Sequence, residues 1–341
     1  MRHANVAIFV PHNGCPHQCS FCNQRSITGQ REQPTPDDVR RVVQKARECL
    51  NGEEQAEIAF FGGSFTAIDR GYMVALLEAA VPFVREGPFM GIRISTRPDA
   101  IDRQILALLR TYGVTSIELG AQSMDDCVLA CNGRGHTAVQ VEEAAACIRS
   151  EGFSLGLQMM TGLYGDTPAG AKQTAHRLAA LEPDTMRIYP TIVMRGTDLE
   201  RKYRAGDYLP MPLEDAVNLC AELLEGVERQ GIRVIRLGLH STPELERDRV
   251  AGPWHPAFRE LCESRRIFNG LLRALEENLI YNATIKIKVN PKWRSKVVGQ
   301  KRANVMELLK RGYTAYVVED PTVLENQLVI ASSKKDVTVC F

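Results

Sequence analysis

With 341 residues, 44% of them apolar and 24% charged, the chain can bury a large core, and one big α/β domain with a small appendage fits it better than disorder. Forty-two Lys and Arg against 41 Asp and Glu leave a net charge of +1, so no global positive field draws nucleic acid and any such partner must meet a local basic patch. The opening MRHANVAIFVPHNGC lacks the features of a signal peptide, and no apolar run approaches a membrane span. Ten cysteines in a chain read as leaderless argue against a disulfide framework and for a reducing, cytoplasmic setting in which clustered thiols serve metals.

In chain order, apolar runs punctuated by Gly and Pro predict strands at 6–10, 57–63, 91–96, 116–121, 154–160, 185–191 and 232–239. Between them lie amphipathic stretches such as PDDVRRVVQKARECL, GYMVALLEAAVPFV and IDRQILALLRTYG, the last closed by Gly113. Alternating strands and helices of this kind predict a partial or complete TIM-like (β/α) barrel of parallel strands, with reactive residues at the strands' carboxyl ends. After residue 283 the character changes: TIKIKVNPKWRSKVVGQKRANVMELLKRG carries nine Lys and Arg against one Glu. The expected division is a barrel domain over 1–280 and a small basic αβ module over 281–341.

Directly after the first strand, Cys15, Cys19 and Cys22 make C-x3-C-x2-C within GCPHQCSFCNQR. Three thiolates at this spacing can each hold one corner of a [4Fe–4S] cluster and leave the fourth iron without a protein ligand. An open iron can chelate the amino and carboxylate groups of S-adenosylmethionine and pass an electron into its sulfonium. Phe21, just before the last Cys, is placed to pack on the adenine ring. A zinc site completed by His12 or His17 is the alternative, although zinc prefers four closed ligands and paired C-x2-C elements. Cys127, Cys131 and Cys147 could make a second cluster, or be small buried hydrophobes.

Beyond the triad, FFGGSFTAI, ISTRPDAI, IELGAQSM, CNGRGHT, LGLQMMTGLYGD and RIYPTIVMRGTDL occur in order, each at the end of a predicted element. Over residues 5–270 the sequence resembles radical S-adenosylmethionine proteins of the Elongator catalytic-subunit type, with motifs shared by the oxygen-independent coproporphyrinogen oxidase type. The resemblance implies that Gly62, Gly63 and Ser64 meet the methionine part of the cofactor. It implies that Ser95, Gln122, Arg134 and Gln158 contact its ribose, adenine or carboxylate, Ser95 standing where an acidic residue is frequent. It also places Tyr189, Arg195 and Thr197 beside a substrate cavity and calls for an electron donor such as flavodoxin or ferredoxin. His240 and His255 carry no assigned role. The triad spacing is the common one and not the longer first gap of Elongator subunits, and no acetyltransferase domain follows the barrel, so acetyl-coenzyme A is not implied.

In the basic module, V-V-G-Q-K-R at the mouth of a helix is similar to the GxxG loop of K-homology domains, which clamps single-stranded nucleic acid. Arg302 stands at the second Gly position. Lys296, Lys301, Arg302 and Lys310 are the candidate phosphate contacts, and a solvated basic face on a cap is the alternative. Three functions compete: a tRNA- or RNA-modifying transferase of the radical type, a radical enzyme acting on a small molecule such as a tetrapyrrole, and a non-catalytic Fe–S or RNA-binding protein.

Overall fold

A computed structural model describes residues 2–11, 19–23, 32–50, 54–332 and 336–341. Cys15, His12 and His17 lie outside the described residues. Among the described residues, the strands β1 (Arg2–Val10), β2 (Glu54–Gly62), β3 (Phe89–Thr96), β4 (Val114–Gln122), β5 (Ser154–Thr161), β6 (Thr185–Pro190) and β8 (Arg233–Leu237) form one seven-stranded sheet in the order β1-β2-β3-β4-β5-β6-β8. Every neighbouring pair is parallel, as the alternation of strand and helix demands, because a parallel return needs a crossover. The sheet curls into a half-barrel, the incomplete form of the expected architecture. A two-residue β7 (Val193–Met194) follows β6 and pairs antiparallel with β9 (Arg249–Ala251).

The side-chain period of two divides the sheet into two unlike faces. Ile8, Ile58, Phe60, Ile92, Ile94, Ile117, Leu119, Leu155, Leu157, Met186 and Ile188 alternate with the cavity-side residues, and all are buried. The helices Arg70–Arg85, Ala138–Ser150 and Pro168–Ala179 contact the strands. Their starts are fixed by sequence-local caps: Asp69 accepts from Tyr72 N–H, Thr137 and Gln140 form a capping box, and Thr167 accepts from Gly170 N–H.

This half-barrel belongs to a compact unit of residues 1–212 and 230–254. The second unit joins residues 213–229 to 255–341. It contains the helices Leu213–Glu228 and Phe258–Glu277 and a four-stranded sheet of β10 (Thr284–Val289), β11 (Thr314–Glu319), β12 (Gln327–Ala331) and β13 (Asp336–Cys340), in the order β11-β10-β12-β13. The long helix supplies Ile267, Phe268, Leu271 and Leu275 to the core that Ile285, Ile287, Leu328 and Ile330 of the sheet complete. Between β10 and β11, which are parallel, run the short helices Arg294–Val298 and Ala303–Lys310, joined through Gly299 to Arg302.

Candidate active site

After β1, the chain reaches a turn from Cys19 to Cys22, closed by Cys22 N–H donating to Cys19 C=O at 3.0 Å. Ser20, at its apex, is buried. Its N–H donates to Asn132 C=O at 3.0 Å and its hydroxyl to Asn132 Oδ1 at 2.7 Å, while its C=O accepts from Leu199 N–H at 2.7 Å. Asn23 Nδ2 donates to Arg195 C=O at 2.8 Å. Two chain segments therefore grip the turn, one in CNGRGHT and one in RIYPTIVMRGTDL. From the first of these, Arg134 Nη1 donates to Cys19 Sγ at 3.3 Å.

The turn opens into a cavity of about 1650 Å³ on the inner side of the half-barrel, lined by Cys19, Phe21, Cys22, Gly62, Gly63, Ser95, Gln122, Arg134 and Gln158 among others. Gly62 has φ +114°, and a Cβ there would stand 2.9 Å from Val10 O, so the β2 end passes β1 at a distance only glycine permits. Gly63 N–H donates to the same oxygen at 2.8 Å. Ser64 is fully buried behind this lining, its hydroxyl held by Thr96 Oγ1 at 2.9 Å and by Arg97 N–H at 3.2 Å. Gln122 sits at φ +66°, a left-handed conformation that costs a non-glycine residue free energy.

Three buried polar atoms around this mouth find no partner among the described residues: Gln122 Oε1, Arg134 Nε and Arg97 Nη1. Orphaned donors and acceptors at one cavity wall, beside a strained backbone, are what a polar ligand would satisfy. A donor on Cys19 sulfur suits a thiolate-held iron–sulfur cluster, whose sulfurs accept such hydrogen bonds. The chemistry of the residues present thus fits a cluster at Cys19 and Cys22 with a zwitterionic ligand next to it.

Deeper on the inner face lies a buried charge network that the sequence reading did not anticipate. Arg93 donates twice to Glu57 Oε2, at 2.9 and 2.7 Å, and once to Glu118 Oε1 at 3.2 Å. Glu118 also accepts from Gln158 Nε2 at 2.8 Å and from Arg187 at 2.7 Å, and Glu57 from Ser116 Oγ at 2.8 Å. Burial opposes the charge of Arg187, yet Glu118 and Tyr189 outweigh it and hold the guanidinium above its ordinary pKa; burial likewise raises the Tyr189 phenol. The available signal was one charged or amide residue inside each of several otherwise apolar parallel strands, where near-continuous hydrophobic runs are the rule.

Residues 9–178 match the radical SAM superfamily, and residues 183–267 match the radical SAM C-terminal domain. The chain belongs to the radical SAM superfamily. Within it, 26% identity over 254 residues relates the chain to "tRNA uridine(34) acetyltransferase" of Dehalococcoides mccartyi, covering 64% of this chain and 55% of that protein. Human "Elongator complex protein 3" is 27% identical over 209 residues, 54% of this chain and 38% of its own length. The chain thus spans about half, or less, of these curated relatives. The archaeal Elp3 of Methanocaldococcus infernus superposes with TM-score 0.62 at 18% identity, covering 96% of this chain and 73% of that one, a likeness of fold.

The other candidates of this radical SAM chain divide by environment. Tyr189 and His240 line the cavity, the latter beside Arg236, whose Nη1 lies 3.2 Å from His240 Nδ1. Thr197 also lines the cavity but serves as a helix cap: its hydroxyl donates to Met194 C=O at 2.7 Å and accepts from Glu200 N–H at 3.1 Å. Arg195 is exposed, with its C=O bonded to Asn23. His255 Nδ1 accepts from Ala257 N–H at 3.1 Å. Cys127 and Cys131 are exposed and Cys147 half-buried, and no group of three or more His, Cys, Asp or Glu among the described residues is placed to hold a metal. In the second unit, Lys301 (φ +52°) and Arg302 (φ +63°) form an exposed left-handed loop after Gly299. Lys296 instead pairs with Glu263 at 2.7 Å and lies over the Trp293 ring, and Lys310 stands 3.7 Å from Glu307.

Proposed function

We propose that the chain is a radical S-adenosylmethionine enzyme that modifies RNA, with tRNA the foremost substrate. Cys15, Cys19 and Cys22 would hold a [4Fe–4S] cluster, and S-adenosylmethionine would occupy the adjoining wall. Gly62 and Gly63 meet its methionine part, with Ser64 fixing their turn from behind. Gln122 and Arg134 offer the unsatisfied acceptor and donor noted above, Ser95 and Gln158 reach its ribose or adenine, and Phe21 packs on the base. Bound there, the pair would supply 5′-deoxyadenosyl radical chemistry, with a flavodoxin- or ferredoxin-type protein as the electron donor. The chain's own contribution is to orient the cofactor, exclude water and present the substrate.

The single observation that carries this reading is the convergence of the Cys19–Cys22 turn, the Gly62 close approach and the orphaned Gln122 Oε1 in one cavity at the carboxyl ends of parallel strands. The RNA assignment is supported by relatives named for tRNA uridine chemistry and by the exposed Lys301–Arg302 loop in a β–helix–loop–helix–β setting. In this division of labour, residues 1–280 carry the chemistry and the small module 281–341 meets RNA. Comparison of modified nucleosides in total tRNA from cells with and without the gene tests it, and an identical profile in both would overturn the tRNA assignment.

A further inference from the structure

The two phenylalanines of FFGG, Phe60 and Phe61, point to opposite faces of the sheet, as the strand period requires. Phe60 is fully buried on the face away from the cavity and stacks on Phe65, with ring centroids 4.7 Å apart. Phe61 lines the cavity and is only half-buried. Its register partner on β1, Phe9, lines the same cavity, is also half-buried, and has its ring centroid 6.4 Å away at an interplanar angle of 47°. The Arg187 guanidinium, held on Glu118 at 2.6 Å, lies 5.0 Å from the centre of the Phe61 ring. Aromatic surface turned toward a cavity forgoes the free energy that covering it releases, so the pair favours an apolar, flat occupant. Among the described residues no strand pairs the outer edge of β1. Phe9 therefore stands on an edge strand, where a group still attached to a larger molecule can enter from the side.

We propose that Phe9 and Phe61 are the subsite for one nucleobase of the RNA, turned out of its stack and laid on the two rings with the Arg187 guanidinium at its flank. Every base has a π face, and stacking on aromatic rings and guanidinium planes is how unpaired bases are held. Two centroids 6.4 Å apart make a patch about the size of one base and smaller than the plane of a tetrapyrrole. The inference rests on the RNA reading above and says where in the cavity a base is received. Phe61 directly precedes Gly62 and Gly63, so a base on its ring stands next to the wall given to the cofactor.

A stem–loop RNA whose loop uridines are replaced by 5-iodouridine tests it, because light joins that base to an aromatic ring stacked upon it. The full-length, anaerobically reconstituted protein is irradiated with the RNA bound, and the cross-linked residues are located by mass spectrometry. The expected result is a cross-link on Phe9 or Phe61. In a parallel titration, the double variant Phe9→Leu with Phe61→Leu keeps the sites apolar and removes the rings. It should bind the RNA about tenfold more weakly at every salt concentration, with the slope of log affinity against log salt unchanged, since the rings release no counterions. Failure of the wild type to hold the RNA at all strikes the RNA reading and the subsite with it. RNA held with its cross-links only on other residues overturns the subsite alone, and does so whether or not the double variant folds. Equal affinity in a folded double variant overturns it too, as does loss of the cross-link on saturation with S-adenosylmethionine, which would give the rings to the cofactor.

Discussion

Ser20 and Asn132, 112 positions apart, share two hydrogen bonds that hold the cysteine turn, one from the Ser20 hydroxyl at 2.7 Å and one from its N–H at 3.0 Å. Asn132 is fully buried and spends its own amide on Val128 and Tyr164 carbonyls, both at 2.8 Å. The loop after β4 thus helps to set the turn's position. Asn132→Ala strands the Ser20 hydroxyl and the Tyr164 carbonyl and should cost about 1–3 kcal/mol in equilibrium unfolding. In cluster-free protein, alkylation of Cys19 and Cys22 should accelerate severalfold. Unchanged alkylation with lowered stability would show that Asn132 supports the fold but not the turn.

A second expectation concerns Gly62. At φ +114°, with Val10 O 2.9 Å from any Cβ, Gly62→Ala must move the β2 end away from β1. The strain is on the order of 1–3 kcal/mol. Binding of S-adenosylmethionine to anaerobically reconstituted protein, measured by equilibrium dialysis, should fall with it, whereas Gly226→Ala, which meets open space on a helix, should leave it unaltered.

Glu118 is 1% exposed and serves Arg93, Gln158 and Arg187 together. Glu118→Gln leaves the guanidiniums of Arg93 and Arg187 short of a buried counter-charge, a loss of about 3–5 kcal/mol for a broken buried pair. Adding Arg187→Leu should recover part of that loss, and a double-mutant cycle by chemical denaturation would read the coupling. Strict additivity of the two changes would mean that the pair does not interact in solution.

The half-barrel was legible because each of its seven strands announced itself by a short apolar run and the helices between them by amphipathic stretches, so their chain order and parallel arrangement followed from pattern alone. What pattern could not supply was the inside of the half-barrel. Glu57, Arg93 and Arg187 sit in strands read as apolar, and it is Glu118 of β4 that links Arg93 of β3 to Arg187 of β6. Long-range pairs such as Ser20–Asn132 were equally silent: the motif CNGRGHT was visible, its task of gripping the turn was not. Thr197, singled out for the cavity, does line it, but its hydroxyl is consumed by capping.

His136, in the same loop as Asn132 and Arg134, is buried, with Nε2 3.2 Å from Ala121 O. Burial first, and the neighbouring Arg134 next, push its pKa down to about 4 from 6.5. The unfolded chain therefore binds the proton more readily over that interval. The stability owed to neutral His136 is complete above about pH 6.5 and is lost as pH falls toward 4, on the order of 3 kcal/mol in all. Unfolding free energy measured from pH 7 to 4 should fall less steeply in His136→Gln than in wild type. Parallel curves would mean that the ring is already protonated in the native state or reaches solvent.

The basic module gives the last prediction, because the structure separates four lysines and arginines that the sequence treated alike. Lys301 and Arg302 stand exposed in the left-handed loop after Gly299, whereas Lys296 is committed to Glu263 and the Trp293 ring. A cation already neutralised and three-quarters covered releases few counterions when RNA arrives, and an exposed pair releases most of its share. Replacing Lys301 and Arg302 together by Ala should lower the slope of log affinity against log salt for tRNA by roughly 1.4–1.8, on the rule of 0.7–0.9 per phosphate contact. Lys296→Ala should change the slope by well under half of that. Slow cleavage of S-adenosylmethionine without RNA should be unaffected in the double variant, since neither residue lines the cavity. Filter binding or fluorescence anisotropy across a salt series reads the slopes, and equal slopes for wild type and the double variant would make the loop a structural cap with no part in holding RNA.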